Sequence, residues 1–248
     1  MHREFSTPAL VLRTRPYGES DRIATFITEQ HGKITGIAKG AKNSRRRFAG
    51  TLEPFVRIRV VFRQRTASDL AFLMRCELLG VWRSYTRDLD RYAAGSYVLE
   101  LVDRMVLGRE SGREIYTLVH EVLTLLDAAA PVDPVLRAFE LHLLAATGYA
   151  PALDRCRACG KLADADALWI ALDRGELVCR ACVRAGEPLR PLGAAAAREL
   201  ARLAARPLAE AVDADRLLLR EAAAVAESLI GAVAAGPVHT RAFIARTR

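Results

Sequence analysis

Two Cys-x-x-Cys pairs constrain this sequence more than any other feature. They are Cys156-Arg157-Ala158-Cys159 and Cys179-Arg180-Ala181-Cys182, with nineteen residues between them. This spacing is typical of four-thiolate zinc sites, in which each pair forms a tight knuckle that points two sulfurs at one ion. Four thiolates close the coordination shell, so we expect one structural zinc ion and no catalytic metal.

The segment between the two pairs predicts a β-hairpin. Residues 167–172 and 176–178 are apolar runs, and Asp173-Arg174-Gly175 provides the turn. We therefore expect a zinc ribbon over residues 153–190. A redox dithiol is the alternative, but no thioredoxin-like βαβ pattern surrounds either pair. Cys76 lies apart, in an apolar run, and is predicted to be a small buried hydrophobe.

The positive charge of the chain is confined to its first third. Residues 1–80 contain 15 basic and 7 acidic side chains, whereas residues 81–248 contain 22 of each. This asymmetry predicts a polyanion-binding module joined to a neutral one. A hydrophobic content of 51% excludes a disordered chain, and five cysteines are too few for a secreted disulfide framework.

Residues 1–80 read as short strands separated by turns. The predicted strands are 9–15, 22–28, 33–39, 55–62 and 69–79. In the fourth, Val56, Ile58 and Val60 alternate with arginines, which places the apolar side chains on one face. Five short strands with one long connection predict a small Greek-key barrel of the OB type, although the periodicity fits an SH3-like barrel equally well.

From residue 81 onward the pattern becomes helical. Helices are predicted near 89–99, 115–126, 131–147, 193–205, 214–235 and 238–246 from apolar residues at 3.6-residue spacing. The fold class is thus α+β and multidomain. It comprises an N-terminal OB-fold barrel, residues 1–80, and an α-helical bundle, residues 81–248, into which the zinc module is inserted.

A basic run between the third and fourth strands is the candidate nucleic-acid site. A flexible loop of this kind could follow a phosphate backbone without reading sequence. A merely solvated surface is the alternative, but Glu53 is the only acid in residues 33–65. Tyr17, Phe48 and Phe55 are candidates for base stacking, whereas Phe26 and Phe62 suit the core. The candidate contacts are Lys39, Lys42, Arg45, Arg46, Arg47, Arg57, Arg59 and Arg63.

Searches for catalytic motifs find none. The sequence has no phosphate-binding G-x-x-x-x-G-K-[ST] loop and no H-E-x-x-H motif. Asp88 and Asp90 could suggest a nuclease pair but fit helix capping better. The N-terminus lacks a targeting pattern and no apolar run reaches the roughly 18 residues of a membrane span, so we expect a cytoplasmic protein with no membrane partner.

The stretch ALVLRTRPYGESDRIATFITEQHGKITGIAKGAKNSRRRFAGTLEPF, residues 9–55, resembles the N-terminus of the RecO family of bacterial recombination mediators. The order of barrel, helices and inserted cysteine module is similar as well. The resemblance implies a nucleoid-associated protein that binds single- and double-stranded DNA and anneals complementary strands without ATP. It further implies that the protein helps a RecR partner load RecA onto strands coated by single-strand-binding protein.

The same resemblance implies that residues 81–248 receive the acidic C-terminal tail of single-strand-binding protein. Such a tail would need an apolar pocket rimmed by arginines. Two other classes compete with this interpretation. A metal-dependent nuclease would need clustered carboxylates near the basic surface, and a zinc-ribbon RNA-binding or transcription factor would favour RNA over DNA.

Overall fold

The structure is a computed structural model that describes residues 3–64, 70–108, 112–162 and 168–244. The chain forms two compact units, one comprising Met1–Asp127 and Val238–Arg248 and the other Ala128–Pro237. The predicted mixture of α and β structure is confirmed. The first unit extends past residue 80 to include helices, and the separation of residues 1–80 as an independent domain stays a prediction.

The N-terminal sheet closes into a five-stranded barrel. Its neighbours follow the order β1-β2-β3-β5-β4, with β3 and β5 parallel and the other strand pairs antiparallel. β1 is long enough to pair with β4 through its first half and with β2 through its second. Asp69, where the fifth strand was predicted to begin, lies outside the described residues. The strands are β1 (Arg3–Tyr17), β2 (Asp21–Thr28), β3 (Gly32–Ala38), β4 (Val56–Gln64) and β5 (Leu70–Val81).

Alternating side chains fill the barrel interior. Phe26, Ile58 and Leu73 are completely shielded from solvent, and they come from three different strands. The period-two prediction for β4 is confirmed, since its alternating valines and Ile58 are buried while the intervening arginines are partly exposed. Gly36 on β3 is required, because a Cβ atom there would overlap the Leu73 side chain.

Six α-helices lie in the described part of the chain. Asp88 caps α1 by accepting a hydrogen bond from the Arg91 backbone N–H at 3.1 Å, which confirms its predicted capping role. α1, α2 and α6 belong to the first unit and α3, α4 and α5 to the second. No helix among the described residues is long and apolar enough to cross a membrane. The helices are α1 (Leu89–Met105), α2 (Gly112–Asp127), α3 (Val132–Ala146), α4 (Ala194–Ala205), α5 (Arg216–Val233) and α6 (Thr240–Ile244).

The second unit combines its three helices with a small sheet. The sheet has the order β6-β8-β7-β9, and its strands are β6 (Ala152–Cys156), β7 (Leu168–Ala171), β8 (Glu176–Cys179) and β9 (Leu189–Leu192). β7 and β8 form the predicted hairpin, with Ala167 outside the described residues. The outer strands β6 and β9 were not predicted, because four or five residues with interspersed arginine, aspartate or proline carry little periodic signal.

Candidate metal centre and nucleic-acid interface

The structure brings the four predicted cysteines together at one edge of the small sheet. Their sulfur atoms all lie within 4.8 Å of one another, and Cys159 Sγ is 3.8 Å from Cys179 Sγ. The first pair follows the end of β6 and the second follows the end of β8, which run parallel. Cys156 and Cys179 are buried, whereas Cys159 is exposed. The cluster members are Cys156, Cys159, Cys179 and Cys182.

Backbone geometry builds the first knuckle. The Gly160 N–H donates to the Cys156 carbonyl at 2.9 Å, and the Cys156 N–H donates to the Lys161 carbonyl at 2.8 Å. Gly160 has a φ of 72°, a left-handed conformation that favours glycine. The Cys179 N–H points at Cys156 Sγ at 3.4 Å, so one backbone amide links the two pairs.

The thiols are placed to share one cation. Burial opposes ionisation of Cys156, but the backbone N–H groups of Cys179, Cys159 and Ala158 lower its pKa to about 6. In contrast, hydrogen bonds to Cys179 and Cys159 raise the pKa of Cys182 to about 12. Without a cation, neighbouring negative charges disfavour ionisation of the whole set. The cluster could therefore hold a soft divalent metal ion that would stabilise all four thiolates together.

The distances agree with tetrahedral coordination. Metal–sulfur bonds of about 2.3 Å place the ligands of a tetrahedral zinc site roughly 3.8 Å apart. The Cys159–Cys179 separation of 3.8 Å matches this value. The four sulfur atoms are thus close enough together to hold one metal ion.

The basic loop, residues 39–55, is anchored to the barrel. Phe48 and Leu52 are only 3% and 1% exposed and belong to the barrel core. The Cys76 N–H on β5 donates to the Arg47 carbonyl at 2.8 Å, and Thr14 Oγ1 donates to the Leu52 carbonyl at 2.7 Å. The expectation of a flexible loop is therefore wrong for this segment as a whole, since both its side chains and its backbone are attached.

Three of the predicted cations in or beside this loop already have partners. Lys39 Nζ lies 2.7 Å from Asp21 Oδ2, and this contact lowers the pKa of Asp21 and raises that of Lys39. Lys42 Nζ donates to the carbonyls of Gly18 and Glu19, at 3.0 and 2.8 Å. Arg47 Nη2 donates to the Lys39 carbonyl at 2.8 Å. These contacts tie the loop to the turn between β1 and β2.

Arg45 and Arg46 project from the anchored loop. Both are exposed, and neither forms an ion pair with any residue that the structure describes. The loop thus fixes its own ends and presents two uncompensated guanidinium groups. Because the loop backbone is already fixed, binding a polyanion here would cost little additional loop entropy.

The three arginines predicted on β4 differ in their surroundings. Arg63 is ion-paired with Glu4 at 3.1 Å. Arg57 Nη1 lies 2.9 Å from His120 Nε2 on α2, and Arg59 has no ion pair within the described ranges. Arg63 therefore differs from Arg57 and Arg59, because the Glu4 carboxylate offsets its charge.

The structure reduces the set of aromatic stacking candidates to one. Phe48 and Phe55 are buried, and the Phe55 ring stacks on Tyr85 with the centroids 4.3 Å apart. Both predictions of base stacking are therefore wrong. Tyr17 is 50% exposed at the end of β1, next to the turn that Lys42 holds. Phe26 and Phe62 are core residues as predicted, and Cys76 is buried, with burial raising the pKa of its thiol to about 12.

Sequence reasoning missed His120 as part of this charged surface. It lies on α2, outside the basic segment, where the apolar spacing of residues 115–126 predicts only a helix. Its relation to Arg57 depends on α2 lying over the barrel, with the two residues 63 positions apart in the chain. A local pattern contains no signal for such a pair.

Comparison with known proteins defines the class of this chain. The family models described as "Recombination protein O N terminal" and "Recombination protein O C terminal" match residues 1–82 and 86–234. The "DNA repair protein RecO" of Geobacter sulfurreducens is 37% identical over 236 residues, covering 95% of each chain. The protein of the same name from Anaeromyxobacter sp. (strain Fw109-5) is 39% identical over 213 residues, covering 85% of this chain and 83% of that one.

These matches span both units of the structure. The chain belongs to the RecO family, and the resemblance noted in residues 9–55 is confirmed. Membership of this family supports a role in DNA repair.

Proposed function

We propose that this chain is a zinc-containing, non-enzymatic DNA-binding mediator of recombinational repair. It binds single- and double-stranded DNA through its N-terminal barrel and anneals complementary strands without a nucleotide cofactor. The observation that carries the proposal is the anchored basic loop, which presents Arg45 and Arg46 without ion pairs to described residues. Phosphate neutralisation by such cations lowers the repulsion between two strands and so favours annealing.

We infer that the barrel is an OB fold. The closed order β1-β2-β3-β5-β4 and the parallel β3–β5 pair support this interpretation. The loop after β3 and the β1–β2 turn meet through the Lys42 contacts, so exposed Tyr17 lies close to the cationic side chains. Bases would stack on Tyr17 while arginines contact phosphates, a combination suited to single strands without sequence preference.

We assign the metal as one structural zinc ion held by the four cysteines. The sulfur separations and the all-thiolate donor set support zinc, because a closed tetrahedral shell of this kind is its usual structural site. The ion would hold the ends of β6 and β8 together. The proposal gives it no role in chemistry on DNA.

The decisive experiment measures DNA affinity against salt. The full chain is titrated with a labelled single-stranded oligonucleotide by fluorescence anisotropy at several salt concentrations. If about five phosphates are contacted, log K should fall against log salt with a slope of roughly −3.5. The triple substitution Arg45→Ala, Arg46→Ala and Arg47→Ala should flatten the slope and weaken all sequences alike.

Arg63→Ala is the matched control, because it also removes an arginine, but one already paired with Glu4. It should leave the slope almost unchanged. A salt-independent affinity, or a triple variant that binds like the unmodified chain, would overturn the proposed role of the loop. An annealing assay without ATP completes the test, and failure to accelerate pairing of complementary strands would remove the annealing activity.

Family membership supports the protein partners that we propose. We propose that the chain acts with RecR to load RecA onto strands coated by single-strand-binding protein, and that residues 81–248 receive the acidic tail of the latter. A labelled tail peptide should bind the full chain in the presence of saturating oligonucleotide. Complete displacement of the peptide by DNA would instead indicate charge attraction to the basic loop.

A further inference from the structure

Two neighbouring arginines on the outer face of β4 lack acidic partners in the described structure. Arg57 lies opposite Leu10 on β1 and Gly80 on β5, so its nearest cross-strand neighbours carry no charge. Gly80 leaves space beside the guanidinium, since a Cβ atom there would still be 3.9 Å from Arg57 Nε. Arg57 itself is partly exposed.

Two acids near this face are paired with other arginines. Glu77 is opposite Arg59 in the β4–β5 register but pairs with Arg75 at 3.2 Å. Glu29, whose charge acts on Tyr116, lies 3.9 Å from Arg113. Arg57 and Arg59 are consequently two like charges on one strand face, and an anion between them would relieve their repulsion.

α2 supplies hydrogen-bonding groups to the same place. His120 Nε2 is 2.9 Å from Arg57 Nη1, so the neutral imidazole accepts a hydrogen bond from the guanidinium. The Tyr116 ring is stacked on His120 with centroids 6.3 Å apart, and its hydroxyl experiences the charges of both Arg57 and Arg59. The Arg57 guanidinium, the His120 imidazole and the Tyr116 ring thus lie together beside β4, and Arg59 lies on the same strand face two residues further along.

We propose that Arg57, Arg59, Tyr116 and His120 form a binding site for a backbone phosphate of DNA. The inference rests on the proposed DNA-binding function and deepens it. It extends the DNA path from the basic loop along β4 to α2, beyond the segment in which the net positive charge of the sequence lies. Arg63 is not part of the site, because Glu4 neutralises it.

The site couples DNA binding to proton uptake. In the free protein, burial and then the Arg57 charge hold the pKa of His120 below its usual value. The groups that face His120 are Arg57 from β4, the Tyr116 ring from its own helix and the uncharged Trp82 ring. A bound phosphate would offset the Arg57 charge and accept its N–H groups in place of His120 Nε2, which leaves that nitrogen free to take up a proton. Affinity should therefore rise as the pH falls from 8 to 6.

The first test compares glutamine variants of the full chain. Arg57→Gln and Arg59→Gln should each weaken binding of a labelled single-stranded oligonucleotide about fivefold near 0.1 M salt, which corresponds to losing one phosphate contact. Arg63→Gln is the matched control and should bind normally. Arg59 forms no ion pair with a described residue, so its substitution breaks none. Arg59→Lys, which keeps the positive charge, should bind nearly as tightly as the unmodified chain, and a purely structural role of Arg59 would not explain this.

The second test follows pH. His120→Gln keeps a hydrogen-bonding side chain but cannot take up a proton. Its DNA affinity should therefore increase less between pH 8 and pH 6 than that of the unmodified chain. Normal binding by Arg59→Gln, or an unchanged pH dependence in His120→Gln, would overturn this site. If those variants bind normally while the Arg45–Arg47 triple variant does not, only this inference fails. If the unmodified chain binds no DNA, the proposed function fails with it.

Discussion

The barrel and the cysteine-bearing sheet are both small β structures, but they obtain their stability differently. The barrel buries large apolar side chains from all five strands, among them Phe26, Ile58 and Phe62. β6–β9 are only four or five residues long, and two of their buried positions are cysteines. The barrel can therefore present charged side chains on its surface without weakening its core. The small sheet buries fewer large side chains, and under the proposed zinc assignment its cysteines would supply part of its stability.

The largest expected effect is the loss of a cysteine ligand. Cys156→Ala should unfold the β6–β9 sheet, because apparent binding free energies of structural zinc are roughly 10–16 kcal/mol and act as folding free energy. Metal analysis should fall from one equivalent to almost none, with the remaining three thiols reactive toward a thiol reagent. Removal of the metal by a chelator should have the same result.

Cys76→Ala is the matched control for this substitution. Cys76 is buried in the barrel core and is not a member of the cysteine cluster, so its removal should leave the metal content at one equivalent. Retention of a full equivalent of metal by Cys156→Ala would contradict the difference drawn between the two sheets.

The second effect concerns the loop anchor in the barrel. Phe48→Ala should cost about 3–5 kcal/mol in the free energy of unfolding, the usual range for emptying an aromatic core position. DNA affinity should fall as well, although no charge is removed, because the loop backbone that carries Arg47 and its neighbours is no longer anchored in the barrel core. Chemical denaturation and anisotropy measure the two effects. Tyr17→Ala, which removes an exposed ring, should leave the unfolding free energy nearly unchanged.

Local patterns predicted most of the fold and the cysteine cluster. Alternation in β4 and Cys-x-x-Cys spacing are signals confined to a few residues, and β4 and the two cysteine knuckles could be located from them. The burial of individual aromatic side chains depends on residues that are distant in the chain, so local patterns did not predict it. Phe48 and Phe55 precede a strand in a polar-looking segment, and only the closing of the barrel and the approach of Tyr85 bury them.

The sequence also did not show which charged side chains form ion pairs. A run of cations predicts a positive surface, but it does not show which of them meet acids from distant segments. Asp21 holds Lys39 across 18 residues, and Glu4 holds Arg63 across 59. Pairing of this kind depends on strand register, which composition does not determine.

A smaller effect is expected at Glu100 on α1, whose carboxylate stabilises the attachment of α6. Its carboxylate accepts hydrogen bonds from the His239 N–H, the Thr240 N–H and the Thr240 hydroxyl, at 3.0, 2.8 and 2.7 Å. Burial opposes its ionisation, but these bonds hold the pKa of Glu100 below its usual value. Glu100→Ala should release α6 at a cost of about 1–3 kcal/mol.

Hydrogen exchange of residues 239–244 would measure this release. Because the pKa is lowered in the folded state, the stabilisation is complete above the unfolded-state pKa and is lost as the pH falls through the folded-state value. Protection of α6 in the unmodified chain should therefore decrease in acid. Equal protection at low and neutral pH would contradict the role of the carboxylate.

The smallest effect comes from releasing a cation that the barrel already holds. Asp21→Asn keeps an oxygen that can accept the Gly40 N–H, now bonded at 2.8 Å, but it removes the charge that holds Lys39. Lys39 would then be free to contact a phosphate, so affinity for single-stranded DNA should rise about fivefold near 0.1 M salt, with a slope steeper by roughly 0.7. Glu19→Gln is the matched control, since it removes one negative charge from the same turn without releasing a lysine from any ion pair in the described structure. An equal gain in both variants would mean that overall charge alone sets the affinity, and that the pairing of individual cations in the barrel has no bearing on DNA binding.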